Sequence, residues 1–399
     1  MKFLDLFAGI GGFRLGLELA GHECVGFCEV DRFAAASYIS MHLITDTQRY
    51  YLKQLKLRDR QKDILKKEYR NGEWYAKNIT ELNGRDIPAS DCWTFGAPCQ
   101  DFSIAGKRAG LDGKRSSLVG EVFRLLDERE EKDKPEWLIY ENVKGMLSSN
   151  RGLDYLTILS EMDKRGYDIE WQNINSSWFV PQNRERIYTI GHLRRYGGRK
   201  VLPIQGTSGK TCSIVEGSEG FCDLTKGAIK VTTISRCIAG RYNRGLSNRK
   251  GESSGVVIPV LTPERTKKRQ NGRRFKESGE PSFTLTSQDN HGVAINIKEA
   301  TKKGYTIAQT LDTSCNQGIF ITLEDGNQIY AVWYEKEQCY IAVRKLTPRE
   351  CFRLQGWTDD YFDKAEFVNS NNQLYKQAGN GVTVDVVKRI GERIGTNKS

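Results

Sequence analysis

The turn Phe7-Ala-Gly-Ile-Gly-Gly-Phe13, set between an apolar run and a helical pattern, most constrains what this chain can fold into. Lys2–Phe7 reads as a strand, and Gly12–Ala20 as a helix with Phe13, Leu15, Leu17 and Leu19 among its apolar positions. Cys24–Glu29 reads as the next strand and Phe33–His42 as the next helix. This alternation is the grammar of βαβ units and predicts a mostly parallel, doubly wound sheet. Glycines in the first turn let the backbone approach a ligand and open a helix whose N–H groups point at it. Arg14 stands at the sixth position counted from Gly9, so the pattern is not a strict G-x-G-x-x-G. Alone, the turn fits a tight strand-to-helix connection as well as a cofactor site. The second strand, however, ends in Glu29-Val-Asp31, an acid where such folds hold a ribose. Together the two features favour an adenosine-containing cofactor.

A second stretch carries candidate chemistry. Cys92-Trp-Thr-Phe95 reads as a short buried strand that breaks at Gly96 and Pro98 and delivers Cys99 at its C-terminal end. That edge is where ligands collect in open α/β sheets, which makes Cys99 a candidate nucleophile. The plainer reading of a lone Pro-Cys is a buried thiol beside a turn. The α/β pattern continues through a helix over Leu118–Glu130, a strand Trp137–Tyr140 ending in Glu141-Asn142-Val143, and a helix near Leu153–Arg165. Strands near Ile169–Ile174 and Ile187–Gly191 flank the loop Pro181-Gln-Asn-Arg-Glu-Arg186. Leu43–Lys77 interrupts the pattern; charged on both signs and rich in aromatics (Tyr50, Tyr51, Tyr69, Trp74, Tyr75), it reads as an exposed helical insertion.

At 399 residues the chain has room for one large domain and a smaller one. It has no apolar run of membrane-spanning length, and its first residues, with Asp5 among them, do not read as a signal peptide. Ten cysteines without a CxxC pair suit a reduced intracellular protein, with no zinc framework and no metal. The formal charge of +11 is uneven. Between Arg241 and Lys276, eleven lysines and arginines face only Glu252 and Glu264. The window is either a solvated basic loop or a phosphate-contacting surface for nucleic acid.

Arg195–Ile341 has a different texture, with β-branched residues, glycines and basic clusters. A pattern of aliphatic residue, Asn five later and Gly seven later recurs at Ile238-Asn243-Gly245, Leu285-Asn290-Gly292 and Leu311-Asn316-Gly318. Each reads as a strand leaving into an Asn-x-Gly turn. Three such tips would present Arg241, Arg244, Gln288, His291 and Gln317 to base edges in a major groove, the alternative being ordinary turns of a small β domain. Near the C-terminus, Leu374–Asn380 leads into an amphipathic helix over Val382–Ile394, expected to pack beside the N-terminal strand.

In sequence order, Phe7-Ala-Gly-Ile-Gly-Gly12, Glu29-x-Asp31, Gly96-x-Pro-Cys-Gln100, Glu141-Asn-Val143, Gln182-x-Arg-x-Arg186, Arg344-Lys-Leu-Thr-Pro-Arg-Glu350, Arg353-Leu-Gln-Gly356 and Gln377-Ala-Gly-Asn380 resemble the motif series of the cytosine-C5 DNA methyltransferases. The resemblance covers roughly Lys2–Gly191 and Arg344–Ile390. It implies an α/β fold of the class I S-adenosylmethionine-dependent methyltransferase type, a Rossmann-like mixed sheet with helices on both faces, and a smaller, mostly β target recognition domain. The implied division is a catalytic and cofactor-binding domain over 1–194 (43–77 being an insertion), a recognition domain over 195–341 and a C-terminal return over 342–399.

The resemblance also implies roles. Cys99 is the nucleophile that adds to C6 of cytosine, and Glu141 the acid at N3 and the exocyclic amine, a role that a raised pKa in a water-poor pocket would serve. Arg184 and Arg186 fix the base and the phosphates around it. Phe7 stacks on the cofactor adenine, Glu29 holds its ribose hydroxyls, and Gly9 and Gly11 line the methionine part. Ala8, Gly12, Val30, Asn78, Ile79, Pro98, Leu118, Asn380 and Val382 complete the implied cofactor contacts. Two positions depart from the family pattern: Asn78 stands where Asp is usual, and Val30 where Trp is common. Because the target carbon lies inside a duplex, the base must be rotated out. Gln100–Gly113, ending in Arg115-Ser-Ser-Leu118, fits a lid over it, with Gln100, Ser103, Arg115 and Gln182 as DNA contacts.

The expected enzyme is a DNA (cytosine-5-)-methyltransferase using S-adenosyl-L-methionine, yielding S-adenosyl-L-homocysteine, and acting on double-stranded DNA without a membrane. The family further implies a monomer in a prokaryotic cytoplasm or encoded by a phage, with a cognate restriction endonuclease as a partner. Two other readings are the RNA branch of the family, acting on a tRNA cytosine, and a catalytically silent DNA-binding protein. The long basic insert argues against the first, and intact Cys99 and Glu141 against the second.

Overall fold

The computed structural model describes residues 1–97, 118–198, 200–205 and 346–395 in full and, within 206–345, the backbone of six strands. By contact the chain forms two compact units. The first comprises Met1–Phe179, Glu185–Gly206 and Gln355–Ser399, and the second Val180–Arg184 and Thr207–Leu354.

The first unit is built on seven strands: β1 (Lys2–Leu6), β2 (Glu23–Cys28), β3 (Trp74–Ala76), β4 (Cys92–Phe95), β5 (Trp137–Val143), β6 (Tyr167–Asn175) and β7 (Glu185–Leu193). Their order is β3-β2-β1-β4-β5-β7-β6. The first five run parallel, and β7 inserts antiparallel between β5 and β6. The reversal follows from chain length: the short connection from β6 to β7 permits only an antiparallel neighbour, whereas parallel pairs need a crossover.

Alternation along β1 sends Phe3 to one face and Leu4 and Leu6 to the other. Leu4 and Leu6 join Trp93, Phe95, Leu138 and Tyr140 in a core closed by α5 (Leu118–Asp127) and α6 (Leu153–Lys164). Phe3 joins Ile139, with Phe13 and Leu17 of α1 (Gly12–Leu19) and Val386, Val387 and Ile390 of α10 (Val384–Gly395). The two helices approach so closely that a Cβ on Gly16 would meet Val387 at 2.6 Å. Helices thus cover both faces of a mixed sheet, as the resemblance implied, and the C-terminal helix lies on α1 as well as against the first strand.

The segment 43–77 holds α3 (Asp46–Lys53) and α4 (Leu57–Asp63), as expected, but Trp74 and Tyr75, read with the insertion, form β3 instead. Three residues pairing with Gly26, Phe27 and Cys28 suffice to add an edge strand, too short for a periodic signal. Nor is the insertion wholly exposed. Leu52 and Ile64 are fully buried against Phe27, Tyr38 and Val368 beside α2 (Arg32–His42), and the Arg60 guanidinium donates to the carbonyls of Leu52 and Phe367. Residues 195–205, read with the recognition domain, group with the first unit. Val201, Leu202 and Ile204 enter the core, and Gln172 on the edge strand β6 both donates to and accepts from the Ile204 backbone.

The second unit carries a six-stranded antiparallel sheet, β8 (Val257–Leu261), β9 (His291–Asn296), β10 (Ile307–Gln309), β11 (Gly318–Thr322), β12 (Gln328–Tyr334) and β13 (Cys339–Lys345), in the order β10-β11-β12-β13-β9-β8. His291, expected at a hairpin tip, is the first residue of β9 and is paired with Leu261. Gly292 is paired on both sides, and Gly318 likewise opens a strand, so these two glycines start ladders instead of ending them. The run Gly-Val-Ala-Ile after His291 outweighs the turn signal of the preceding Asn-x-Gly. After β13, Thr347 caps α7 (Pro348–Arg353) in a reciprocal bond with Glu350.

Candidate active site

The candidate cofactor residues gather at the C-terminal ends of the parallel strands, where open sheets bind ligands. Phe7 leaves β1 with φ 55°, Gly9 follows at 57° and Gly11 at 85°, so the turn passes three times through the left-handed region. The closest fit is at Gly11, where a Cβ would lie 2.5 Å from the His42 Nε2. That nitrogen donates to the Ile10 carbonyl at 3.0 Å; burial holds His42 well below its ordinary pKa, so the ring is neutral. Gly12 faces Val382, whose Cγ2 would be 2.7 Å from an added Cβ. Over Gly9, by contrast, nothing among the described residues lies within 4 Å of an added Cβ.

Glu29, directly after β2, is bound into this loop. Its Oε2 accepts from the Gly9 N–H and its Oε1 from the Asp31 N–H, both at 2.7 Å. Burial pushes the carboxyl above its usual range, with the two N–H donors pulling the other way. Asp31 caps α2 through the Phe33 N–H and pairs with Lys376 at 2.6 Å, from α9 (Asn371–Asn380). Val30 between them is exposed. Asn78, two residues beyond β3, uses its side chain locally: Oδ1 accepts from the Thr80 N–H and Nδ2 donates to Glu81, while Ile79 is buried in the core. Asn380 is exposed at the end of α9, and Leu118, partly buried, opens α5.

The second cluster lies on β4, β5 and β7. Phe95 is in register with Tyr140, which sets Gly96 beside Glu141, and a Cβ on Gly96 would lie 3.4 Å from the Glu141 Oε2. Glu141, largely buried, has its Oε1 3.1 Å from Nε of Arg186. Arg186, expected in a loop or at a strand end, is the second residue of β7, and Arg184, just ahead of that strand, is buried. The Glu185 carboxylate takes Lys144 at 2.9 Å and Asn173 at 3.0 Å, while its backbone carbonyl accepts from Nη1 of Arg186 at 2.8 Å. Asn142 is fully buried, its amide bonding to the Tyr140 hydroxyl and to the Val143 N–H. Gln182 is also fully buried, and among the described residues neither of its side-chain amide atoms has a hydrogen-bond partner.

Pro98, Cys99, Gln100, Ser103, Arg115, Arg241, Arg244, Gln288 and Gln317 lie outside the described residues. Three groups went unsingled in the sequence. Asp5, fully buried in β1, accepts from the Thr94 hydroxyl at 3.0 Å, and burial raises its carboxyl well above the usual range. Arg14, noted only as a break in the glycine pattern, reaches Glu73 at 2.7 Å and Glu18 at 2.9 Å. His42 backs the glycine turn. A charged residue in an otherwise apolar strand, as at Asp5, was the one signal available. Among the described residues no group of His, Cys, Asp and Glu could hold a metal ion, and no helix is long and apolar enough to cross a membrane.

A glycine turn bound to an acid at the end of the second strand, in a sheet of this order, defines a Rossmann-like methyltransferase-type unit. The model of the C-5 cytosine-specific DNA methylase family matches residues 1–65 and 56–396, and the chain belongs to that family: it is a cytosine-C5 DNA methyltransferase. It is 30% identical to the orphan methyltransferase M.SPBetaI of Bacillus phage SPbeta, over 99% of this chain and 97% of that protein. It is 28% identical to the type II methyltransferase M.HhaI of Haemophilus parahaemolyticus, over 100% and 95% respectively. In fold it is similar to the methyltransferase EhMeth of Entamoeba histolytica, with a TM-score of 0.54 at 15% identity over 100% of this chain and 99% of that one. The S. pombe Dnmt2 methyltransferase gives 0.50 at 17% identity, covering both chains fully.

Proposed function

We propose that this chain methylates C5 of a cytosine rotated out of a specific duplex sequence, with Cys99 as nucleophile and Glu141 as the acid. The observation that carries this reading is the pairing of Phe95 with Tyr140, which sets Gly96, three residues before Cys99 in sequence, beside the Glu141 carboxylate. Cytosine C5 is a poor nucleophile. When the Cys99 thiolate adds to C6, electron density moves into the ring and N3 takes a proton from Glu141. C5 then takes the methyl group, with S-adenosylhomocysteine as the leaving thioether, and N3 returns its proton to Glu141. Loss of the C5 proton to a solvent base, with elimination of the Cys99 thiolate, restores the aromatic ring. Arg186 stabilises the charge that moves between base and acid, and Arg184 holds the base and its phosphates.

The residues present fit S-adenosylmethionine, a cosubstrate that supplies an electrophilic sulfonium methyl when bound. Glu29 suits the ribose hydroxyls, and Phe7 offers a ring to the adenine. The open side of Gly9 leaves room for the methionine part, and Ala8, Gly11, Gly12, Ile79, Pro98, Leu118, Asn380 and Val382 are assigned to the same cofactor by the family resemblance. Asn78 would have to release Thr80 or Glu81 to reach the adenine amine. Residues 195–341 are assigned target recognition, with the excess of cations near 241–276 on DNA phosphates. The names of the relatives, an orphan methyltransferase of a phage and a type II methyltransferase of a bacterium, support a phage or bacterial origin, with or without a cognate endonuclease.

Bisulfite mapping of DNA exposed to the protein yields the methylated position and the site together. A duplex carrying 5-fluorocytosine at that position should form an SDS-resistant species with S-adenosylmethionine present, and Cys99→Ala should abolish it. Absence of the adduct at the mapped site would overturn the mechanism.

A further inference from the structure

The chain re-enters the first unit at Gln355, and that side chain is fully buried. Its Nε2 donates to the Ala378 carbonyl at 2.7 Å, while its Oε1 accepts from the Thr383 hydroxyl at 3.0 Å. Its backbone carbonyl accepts from the Val384 N–H at 3.0 Å. The Thr383 oxygen is also 2.8 Å from the Ser176 hydroxyl, and Ser176 and Thr383 are both buried. An amide oxygen can only accept, so the single Thr383 proton points to Gln355. The Ser176 proton must therefore point to Thr383. The result is a one-way chain from Ser176 through Thr383 and Gln355 to the Ala378 carbonyl.

This chain clamps the two ends of one turn. Ala378 lies near the end of α9 and Thr383 immediately before α10, with Gly379-Asn380-Gly381-Val382 between them. The far side of the turn touches the glycine loop, because Val382 fills the space a Cβ on Gly12 would need. We propose that Gln355 is a positioning residue for the cofactor: its amide fixes the span of the turn that brings Asn380 and Val382 to the glycine loop. This rests on the reading of Asn380 and Val382 as part of the cofactor pocket. The chemistry requires an amide. A glutamate would set an acceptor oxygen against the Ala378 carbonyl, and a leucine would leave both that carbonyl and the Thr383 hydroxyl without their partner.

The test measures S-adenosylhomocysteine binding by calorimetry and methylation kinetics on the full-length protein, with ligand-free melting as the check on folding. Gln355→Leu and Thr383→Val should each weaken S-adenosylhomocysteine by about tenfold, the scale of one lost buried hydrogen bond. They should raise KM for S-adenosylmethionine alike and leave KM for DNA, and kcat at saturating cofactor, within about twofold. Thr383→Ser keeps the hydroxyl and should bind as wild type. Should the first two variants fail to fold, Ser176→Ala decides, with an expected loss of about twofold to threefold, since it removes only the outermost donor. Asn380→Ala separates the two layers of the argument. If it leaves cofactor affinity unchanged, the pocket reading fails. If it weakens binding while folded Thr383→Val or Gln355→Leu does not, the positioning role alone is overturned. A loss spread equally over cofactor and DNA would also overturn it, since a general structural role predicts that.

Discussion

The Arg186 Nε stands 3.1 Å from the Glu141 Oε1, reaching it diagonally across the β5–β7 ladder from two pairs away, since Glu141 is opposite Tyr188 and Arg186 opposite Val143. The separation is that of an ion pair, yet among the described residues this oxygen receives no hydrogen bond of good geometry. The guanidinium therefore balances the carboxylate without capping the oxygen, which stays available to another donor. Arg186→Ala should lower kcat by roughly a hundredfold, the usual effect of deleting one charge-stabilising donor. Arg186→Lys should recover only part, because an ammonium on a flexible stem does not reproduce a planar fork. Single-turnover methyl incorporation checks both, and a loss below tenfold for the alanine variant would mark the pair as structural.

Two glycines of the same turn should respond in opposite ways to one methyl group. At Gly11, φ is 85° and an added Cβ would strike the His42 ring, so Gly11→Ala should cost fold stability, with backbone strain alone of about 1–2 kcal/mol. At Gly9, φ is 57° but the space beyond is open. Gly9→Ala should melt closer to wild type and lose cofactor affinity instead. Melting curves with and without S-adenosylhomocysteine separate the two outcomes.

The contrast shows what the sequence could and could not reveal. Gly9, Gly11 and Glu29 were legible because a turn between a strand and a helix, and an acid at the next strand's end, are local patterns with local causes. β1, β2, β4 and β5 and the helices α1, α2, α5 and α6 were legible for the same reason. Gln355, Thr383 and Ser176 were not, because their partners lie up to 207 residues apart in sequence and no spacing signals them. β3 was hidden by its length, and His291 by a turn signal that preceded a strand instead of following one.

Asp385 gives the fold a pH signature. It lies in the first turn of α10, where a Cβ on Gly356 would come within 2.9 Å of its Oδ2. Burial pushes its carboxyl up from 3.8 to about 6, with Lys388 pulling weakly the other way. The folded protein thus holds this proton more tightly than the unfolded chain does. The associated stability is complete below about pH 4 and lost as pH rises through about 6. Asp385→Asn should therefore exceed wild type by about 2–3 kcal/mol at pH 8, taking about 1.4 kcal/mol per pKa unit, and lose that advantage near pH 4. Urea unfolding at the two pH values measures the difference, and an advantage that is the same at both would contradict the assignment.

Arg14 offers a test of how the edge strand serves the cofactor loop. Its guanidinium, nearly buried, contacts both oxygens of Glu73 at 2.7 and 2.8 Å, directly ahead of β3. The end of β3 in turn holds Glu29, because the Glu29 N–H donates to the Ala76 carbonyl and the Tyr75 hydroxyl donates to the Glu29 carbonyl. Arg14→Ala would leave Glu73, whose carboxyl burial already raises, without its cation, at a cost of about 3–5 kcal/mol. Replacing both partners, as in Arg14→Met with Glu73→Leu, should recover most of that stability, since the more deeply buried carboxylate goes with its cation and Glu18, which also meets Arg14, is a third exposed. If β3 is held chiefly by this pair, amide exchange at Trp74–Ala76 should accelerate in Arg14→Ala well before exchange at Cys92–Phe95, and S-adenosylhomocysteine affinity should fall with it. Equal acceleration in both strands would mean that Arg14 supports the sheet as a whole and not its edge.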